Sequence, residues 1–203
     1  MKSLYPVQPL GLGTADVESL SSYLLRLAAS HCTTVGVLLR TLRDQFDFQA
    51  SRDVSRVQHA LIETLVRPNR ATLSAIEVLA EATNWSEDIL SSMTMMRLDK
   101  ALSRQVGFYT SSIRWCSACI REQQRSRSTV YFKLIWMFCD LDICSQHRSE
   151  LRDSCPSCYR TQTSVGRRHS IGRCAYCDGD LAADDLPVAD AVARTGASRE
   201  ILN

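Results

Sequence analysis

Eight residues of this chain have the types and spacing of metal ligands: Cys116, Cys119, Cys144, His147, Cys155, Cys158, Cys174 and Cys177. In order they form four close pairs, C-x-x-C, C-x-x-H, C-x-x-C and C-x-x-C. Two intervening residues make a tight turn that aims both side chains at one ion, and a tetrahedral structural zinc site takes two such pairs. Cys116 and Cys119 with Cys144 and His147 give a site of three cysteines and a histidine. Cys155 and Cys158 with Cys174 and Cys177 give an all-cysteine site that fits the spacing of a single zinc ribbon. The expected cofactor is therefore two structural zinc ions in sequential sites. A cross-braced pairing, first pair with third and second with fourth, is the alternative.

Disulfides or scattered core cysteines are the other explanation, and three observations oppose it. The opening MKSLYPVQPLGLG lacks the charged-then-apolar pattern of a secretory signal. An intracellular chain is then expected, where disulfides are rare. A disulfide framework also has no use for His147. Four protein donors per ion leave no open position for catalysis. Each site would instead contribute folding free energy, about 10 kcal/mol or more in isolated fingers. The two remaining thiols, Cys32 and Cys139, lack ligand partners in the pattern and read as buried free cysteines. His31 and His59 lie in or beside helical patterns and His169 in a loop-like stretch; each reads as a surface or core histidine.

The 203 residues are 45% hydrophobic and 23% charged, which suits one or two globular domains rather than a disordered chain. No apolar run approaches the roughly 20 residues of a membrane span. Charge is unevenly placed. Residues 97–177 carry 14 basic and 6 acidic side chains, whereas residues 178–203 carry 2 and 6. Seven ligand thiolates against two dications reduce the middle segment's excess, which still stays positive and Arg-rich. Such a segment is either a surface for nucleic acid or an acidic protein, or a solvated face. Within it, the turn containing Arg167, Arg168 and Arg173 joins the two halves of the second site and is placed to contact phosphate.

Several elements must position these groups. Residues 1–13 are Pro- and Gly-punctuated and have no periodicity. Their apolar side chains Leu4, Tyr5, Val7, Leu10 and Leu12 either hold a partner or pack across the helical domain. A helical pattern starts near Asp16, capped by Thr14 or Asp16, with Val17, Leu20, Leu24, Leu27 and Ala28 on one face. A second helix is expected over 34–46 and a third from Ser51 to just before Pro68. Ser74 and Glu77 have capping-box spacing at the start of a fourth, whose apolar face would hold Leu73, Ile76, Leu79 and Ala80. Asn84 suits a left-handed turn, and Ser86 caps a fifth helix with Glu87 and Asp88 in its first turn. Helix, turn and helix make a helix-turn-helix pattern. The second helix has acids and no Lys or Arg, so protein contact or packing fits it better than DNA readout. The run from Val130 to Cys139 is core, as helix or strand, packed against the metal sites. The chain's last residues begin what reads as a second helix-turn-helix, as in a truncated or shortened relative of a longer protein.

The residues carry a family resemblance. The stretch Glu18-Ser-Leu-Ser-Ser-Tyr-Leu-Leu-Arg-Leu-Ala28 is similar to the E-S-x-x-S-Y-L-x-R-L-A opening of the TniQ family, which includes TnsD. Residues 79–94 resemble its helix-turn-helix, with Asn84 where Gly usually stands. The cysteine segment resembles its C-x-x-C, aromatic run with Trp136, C-x-x-H-x-x-x-L through Leu151, then C-P-x-C at Cys155–Cys158, with Ser117 where Pro is common. The resemblance implies a non-catalytic target-selection adaptor in DNA transposition. It would link a CRISPR effector with guide RNA, or attachment-site DNA, to an AAA+ ATPase of the TnsC type. It would work in the bacterial cytoplasm on DNA, with no membrane or small-molecule partner.

The expected fold is mainly α with small zinc-ribbon β elements. An extended arm spans 1–13, a helical domain with the helix-turn-helix 14–105, a double zinc-finger domain 106–180, and a further helical segment 181–203. A sequence-specific zinc-dependent DNA-binding regulator is the alternative. An enzyme is disfavoured by the lack of a phosphate-binding G-x-x-x-x-G-K-[ST] loop, an H-E-x-x-H or an evident carboxylate triad.

Overall fold

A computed structural model describes residues 4–46, 65–97, 110, 112–162 and 170–183. It is mainly helical, with isolated antiparallel bridges in place of extended strands. The expected third helix, His59, and the C-terminal segment lie outside the described residues, apart from Leu65 and Val66, which are buried. Among the described residues no helix is long and apolar enough to cross a membrane.

Helix α1 spans Leu20–Ser30 and starts later than its apolar pattern suggests. Its N-cap is Ser19, whose hydroxyl accepts from the Ser22 N–H at 3.2 Å. Thr14 instead closes a turn, donating to the Gly11 carbonyl at 2.8 Å and accepting from the Asp16 N–H. Leu20, Leu24, Leu27 and Ala28 form the buried face as expected. The helix ends in a Schellman motif: Thr33 N–H bonds the Ala28 carbonyl and Cys32 N–H the Ala29 carbonyl. Cys32 holds the left-handed position, φ +51, where glycine is usual, so its side chain leaves the core and is exposed rather than buried.

Helix α2, Val35–Phe46, is capped by the Thr34 hydroxyl at 2.9 Å from Val37 N. It contributes Val35, Leu38, Leu39 and Leu42 to the core. Helix α3, Arg70–Thr83, starts five residues earlier than the Ser74–Glu77 box implies, its N-cap being Asn69 instead of Ser74. Asn69 caps it, its side chain accepting from Thr72 N at 2.9 Å. Ile76 and Leu79 are buried as expected, but Leu73 is 45% exposed. Asn84 takes the left-handed turn at φ 60 as expected, and Ser86 caps the short α4, Glu87–Ser92, with Glu87 and Asp88 in its first turn.

The expected 105/106 boundary lies outside the described residues. Residues 17–22 are stitched directly to the Val130–Cys139 run. Ser19 N–H bonds the Phe132 carbonyl at 3.0 Å, Leu134 N–H bonds the Val17 carbonyl at 2.8 Å, and Glu18 and Lys133 form an antiparallel bridge. The run is therefore neither a full strand nor an α-helix. It is one bridge followed by a 3-10 turn, Leu134–Met137, that buries Leu134, Trp136 and Met137. Beneath this junction Glu18 is fully buried. It accepts from the Ser22 hydroxyl at 2.8 Å and from Arg26 at 2.6 Å. Burial pushes its carboxyl up to about 7, against the pull of Arg26 and Ser22.

The arm packs across this helical part by its backbone. Leu4 N–H bonds the Ala82 carbonyl at 2.8 Å, the Trp85 indole donates to the Val7 carbonyl at 3.1 Å, and Arg26 donates twice to the Gln8 carbonyl. Pro9 is buried and Leu4 and Val7 touch the core, while Tyr5 is 75% and Leu12 38% exposed. Leu10 gives its carbonyl to Glu18 N–H at 3.0 Å. The absence of periodicity in the arm did not prevent it from packing, because its backbone N–H and carbonyl groups, not a periodic side-chain stripe, bond it to the helices.

Candidate metal centres

The eight cysteine and histidine ligands converge in two groups of four, and in each group the donor atoms lie within 4.8 Å of one another. The groups are sequential, not cross-braced. In the first, Cys119 Sγ lies 3.7 Å from Cys144 Sγ and 3.2 Å from His147 Nδ1, and Cys116 Sγ lies 3.6 Å from the same nitrogen. In the second, Cys155 and Cys177 are 3.7 Å apart, as are Cys158 and Cys174. Zn–S bonds of about 2.3 Å at tetrahedral angles put sulfurs about 3.8 Å apart. The donor sets therefore fit zinc, which would be held by all four side chains of each group.

Three of the four ligand pairs share one backbone design. The first ligand's N–H bonds the carbonyl two residues past the second ligand: Cys144 to Ser149, Cys155 to Arg160, Cys174 to Gly179, at 2.8 to 3.0 Å. The residue directly after the second ligand turns left-handed: Arg148, Tyr159 and Asp178, at φ 55 to 61. Its N–H returns to the first ligand's carbonyl. Antiparallel bridges 143–150, 154–161 and 173–180 close the three knuckles. The Cys116–Cys119 pair is different. It is the first turn of helix α5, Ser117–Arg125, with Cys116 as the N-cap.

Trp115 ties the two modules together. It is fully buried, exchanges both backbone hydrogen bonds with Arg152 between the sites, and donates its indole N–H to the Leu181 carbonyl at 3.0 Å, beyond the second site.

The sulfurs sit among donors. Cys119 N–H and the Ser149 hydroxyl lie 3.5 and 3.3 Å from Cys116 Sγ, and the N–H groups of Ser157, Tyr176 and Gly179 reach the sulfurs of the second group at 3.3 to 3.4 Å. Hydrogen bonding from Cys119, with further bonds from Ser149, pulls the Cys116 thiol down to about 4 although burial opposes it. Cys119, the donor of that pair, moves up for the same reason. Burial raises the Cys174 thiol, but the Cys177 and Tyr176 N–H groups outweigh it and bring it down to about 7. Thiolates are the ligand form, so these donors favour metal. His147 presents Nδ1 to the sulfurs and holds Nε2 3.0 Å from Glu122 Oε1. That bond draws its basicity up to about 9 despite desolvation. A carboxylate behind a ligating imidazole is the usual support of such a ligand.

No spacing rule marks the supporting residues Glu122, Gln146, Ser149 and Gln162. Gln162 is 2% exposed; its amide N–H2 reaches Cys174 Sγ at 3.4 Å and its oxygen accepts from Ala175 N at 2.9 Å. Glu122 hinted at its role only by lying three residues after Cys119 on the same helix. Cys139 belongs to neither group and is half-buried. Of the basic turn, Arg167 and Arg168 lie outside the described residues, as does His169. Arg173 pairs with Asp178 at 3.3 Å with its side chain 45% exposed. Metal analysis of the folded chain is expected to return about two ions, and Cys139→Ser to leave that number unchanged. A count near one, or a loss with Cys139→Ser, would refute the two groups of four.

Fold and sites together define a mainly helical protein carrying two tandem four-donor Cys/His groups compatible with zinc-binding modules. The chain belongs to the TniQ family: the TniQ model matches residues 9–151, more than half its length. The match takes in the first metal group and stops before the second. A search of the curated proteins found no match. The family is one of non-catalytic, transposition-associated target-selection proteins.

Proposed function

We propose that this chain is a target-selection adaptor that joins a target-recognising element to an AAA+ transposition regulator of the TnsC type, with two zinc ions in purely structural roles. The target element would be a CRISPR effector with guide RNA, or attachment-site DNA. The family match over 9–151 carries this reading. Closed four-donor groups support the structural role, since neither keeps a position for substrate. The ATPase would dock on the arm, where the backbone is anchored while Tyr5 and Leu12 face outward. A pre-ordered extended segment loses little entropy on docking. Leu4, Val7 and Leu10 would hold the arm's shape beneath that surface. Nucleic acid would meet Arg167, Arg168 and Arg173 at the second module; the exposed Arg173–Asp178 pair is weak enough to yield to a phosphate. The protein would act in the bacterial cytoplasm on DNA.

The test is co-purification with an AAA+ ATPase of the TnsC type, followed by binding of both to target DNA. Capture of the ATPase, lost on Tyr5→Ala/Leu12→Ala with the melting temperature unchanged, is the expected result. Tight binding to one DNA sequence without any ATPase would instead establish the regulator reading.

A further inference from the structure

We propose that Glu122 and Lys133 are positioning residues of the first metal group, acting on His147 through one hydrogen-bonded chain that begins at Asp16, ahead of α1. The proposal rests on the reading of Cys116, Cys119, Cys144 and His147 as a metal site. His147 Nε2 lies 3.0 Å from Glu122 Oε1. Glu122 Oε2 lies 3.1 Å from Gln146 Nε2, and Gln146 Oε1 lies 3.4 Å from Lys133 Nζ. The ammonium of Lys133 lies 2.8 Å from Asp16 Oδ1.

The inventory of donors and acceptors gives this chain one direction. A lysine ammonium only donates and an ionised carboxylate only accepts. Gln146, between the two, has a single amide orientation that satisfies both: oxygen to Lys133, N–H2 to Glu122. Glu122 then accepts from Gln146 with one oxygen and from the imidazole N–H with the other. The proton of neutral His147 therefore sits on Nε2, and the Nδ1 lone pair faces the sulfurs. The tautomer a metal needs is set from the Lys133 end.

Lys133 is held firmly enough to do this. It is 5% exposed, its backbone bridges Glu18, and its ammonium lies 5.5 Å from the centroid of the Trp136 ring. It also answers a charge. Three thiolates and a neutral imidazole on a dication leave one net negative charge among buried sulfurs, and a buried cation nearby offsets it. Gln146 Oε1, which Lys133 bonds, is itself 3.8 Å from Cys119 Sγ. Metal affinity at the first group thus depends on the junction with residues 16–18, well outside the ligand pattern.

Cobalt(II) titration of the full chain against a competing chelator tests this, because three-sulfur-one-nitrogen and four-sulfur cobalt sites absorb differently and the two groups are read separately. Glu122→Gln is expected to weaken the histidine-containing site by about 10- to 100-fold. Its amide N–H2 meets the donor of either His147 or Gln146. The four-sulfur site is the internal control and should not change. Glu122 is 58% exposed at its side chain, so the substitution leaves the core intact. Lys133→Met should weaken the same site in the same direction and Lys133→Arg restore most of it. Equal affinity in Glu122→Gln and wild type, or equal weakening of both sites, overturns the proposal. Absence of the three-sulfur-one-nitrogen signature in the wild-type chain overturns the metal reading beneath it as well.

Discussion

Cys144→Ser is expected to remove one of the two metal ions and to unfold the segment around Trp115 and Trp136. Structural zinc in small modules supplies about 10 kcal/mol or more of folding free energy, against total domain stabilities of about 5–15 kcal/mol. Cys144 is 1% exposed, lies 3.7 Å from Cys119 Sγ, and its N–H anchors the knuckle to Ser149. The substitution takes out a ligand at the point where the knuckle meets α5. Both tryptophans are at most 1% exposed, so their fluorescence should shift to the red as the segment opens. Because residues 17–22 pair with the run at 130–134, the damage should reach α1. Metal analysis and fluorescence-detected urea melts provide the check. Retention of two ions with an unchanged melt would remove Cys144 from the site.

Arg26→Ala is expected to cost about 1.4 kcal/mol more at pH 8 than at pH 5, because the Glu18 carboxyl, left buried without its cation, must then take up a proton to stay folded. The pair is short, 2.6 Å, with 9% and 0% side-chain exposure. The cost should depend on pH with a definite sign. Burial already places the Glu18 carboxyl at about 7, above its ordinary 4.5. Between those values the folded state holds more protons than the unfolded state, so stability falls as pH rises, by about 1.4 kcal/mol per unit. Losing Arg26 extends that window upward. Arg26→Ala should therefore cost less at pH 5, where Glu18 is neutral with or without Arg26, than at pH 8. Adding Glu18→Gln should recover most of the loss at pH 8, leaving only what the arm loses at the Gln8 carbonyl. Urea denaturation of the three variants at both pH values decides it. An equal cost at pH 5 and 8, or no rescue by Glu18→Gln, would mean that the pair is not a buried charge compensation.

The ligand groups were legible in the residues because C-x-x-C and C-x-x-H are local. Two residues between ligands impose one turn wherever the chain goes, and three pairs adopt the same knuckle. Helix ends were legible where one residue type suits the position: Ser86, whose hydroxyl accepts from the Ile89 N–H, and Asn84, whose backbone takes the left-handed turn. They were misread where two candidates competed. Asn69, not Ser74, caps α3, and Ser19 caps α1 while the Thr14 hydroxyl is already bonded to the Gly11 carbonyl and the Asp16 N–H. Cys32 looked like core by residue type, but a Schellman turn holds it outward.

By itself the sequence determined which eight side chains could share metal, in what order, and that the remaining elements would be mainly helical. Tertiary structure alone decided that residues 17–22 bond to the run at 130–134, that the arm is held through its backbone, and that Glu122, Gln146 and Lys133 stand behind His147. Backbone carbonyls are the same at every position, and side-chain partners 13 or 24 residues apart, such as Lys133 with Gln146 or Glu122 with Gln146, have no period to announce them. They meet only once packing brings distant segments to hydrogen-bond distance.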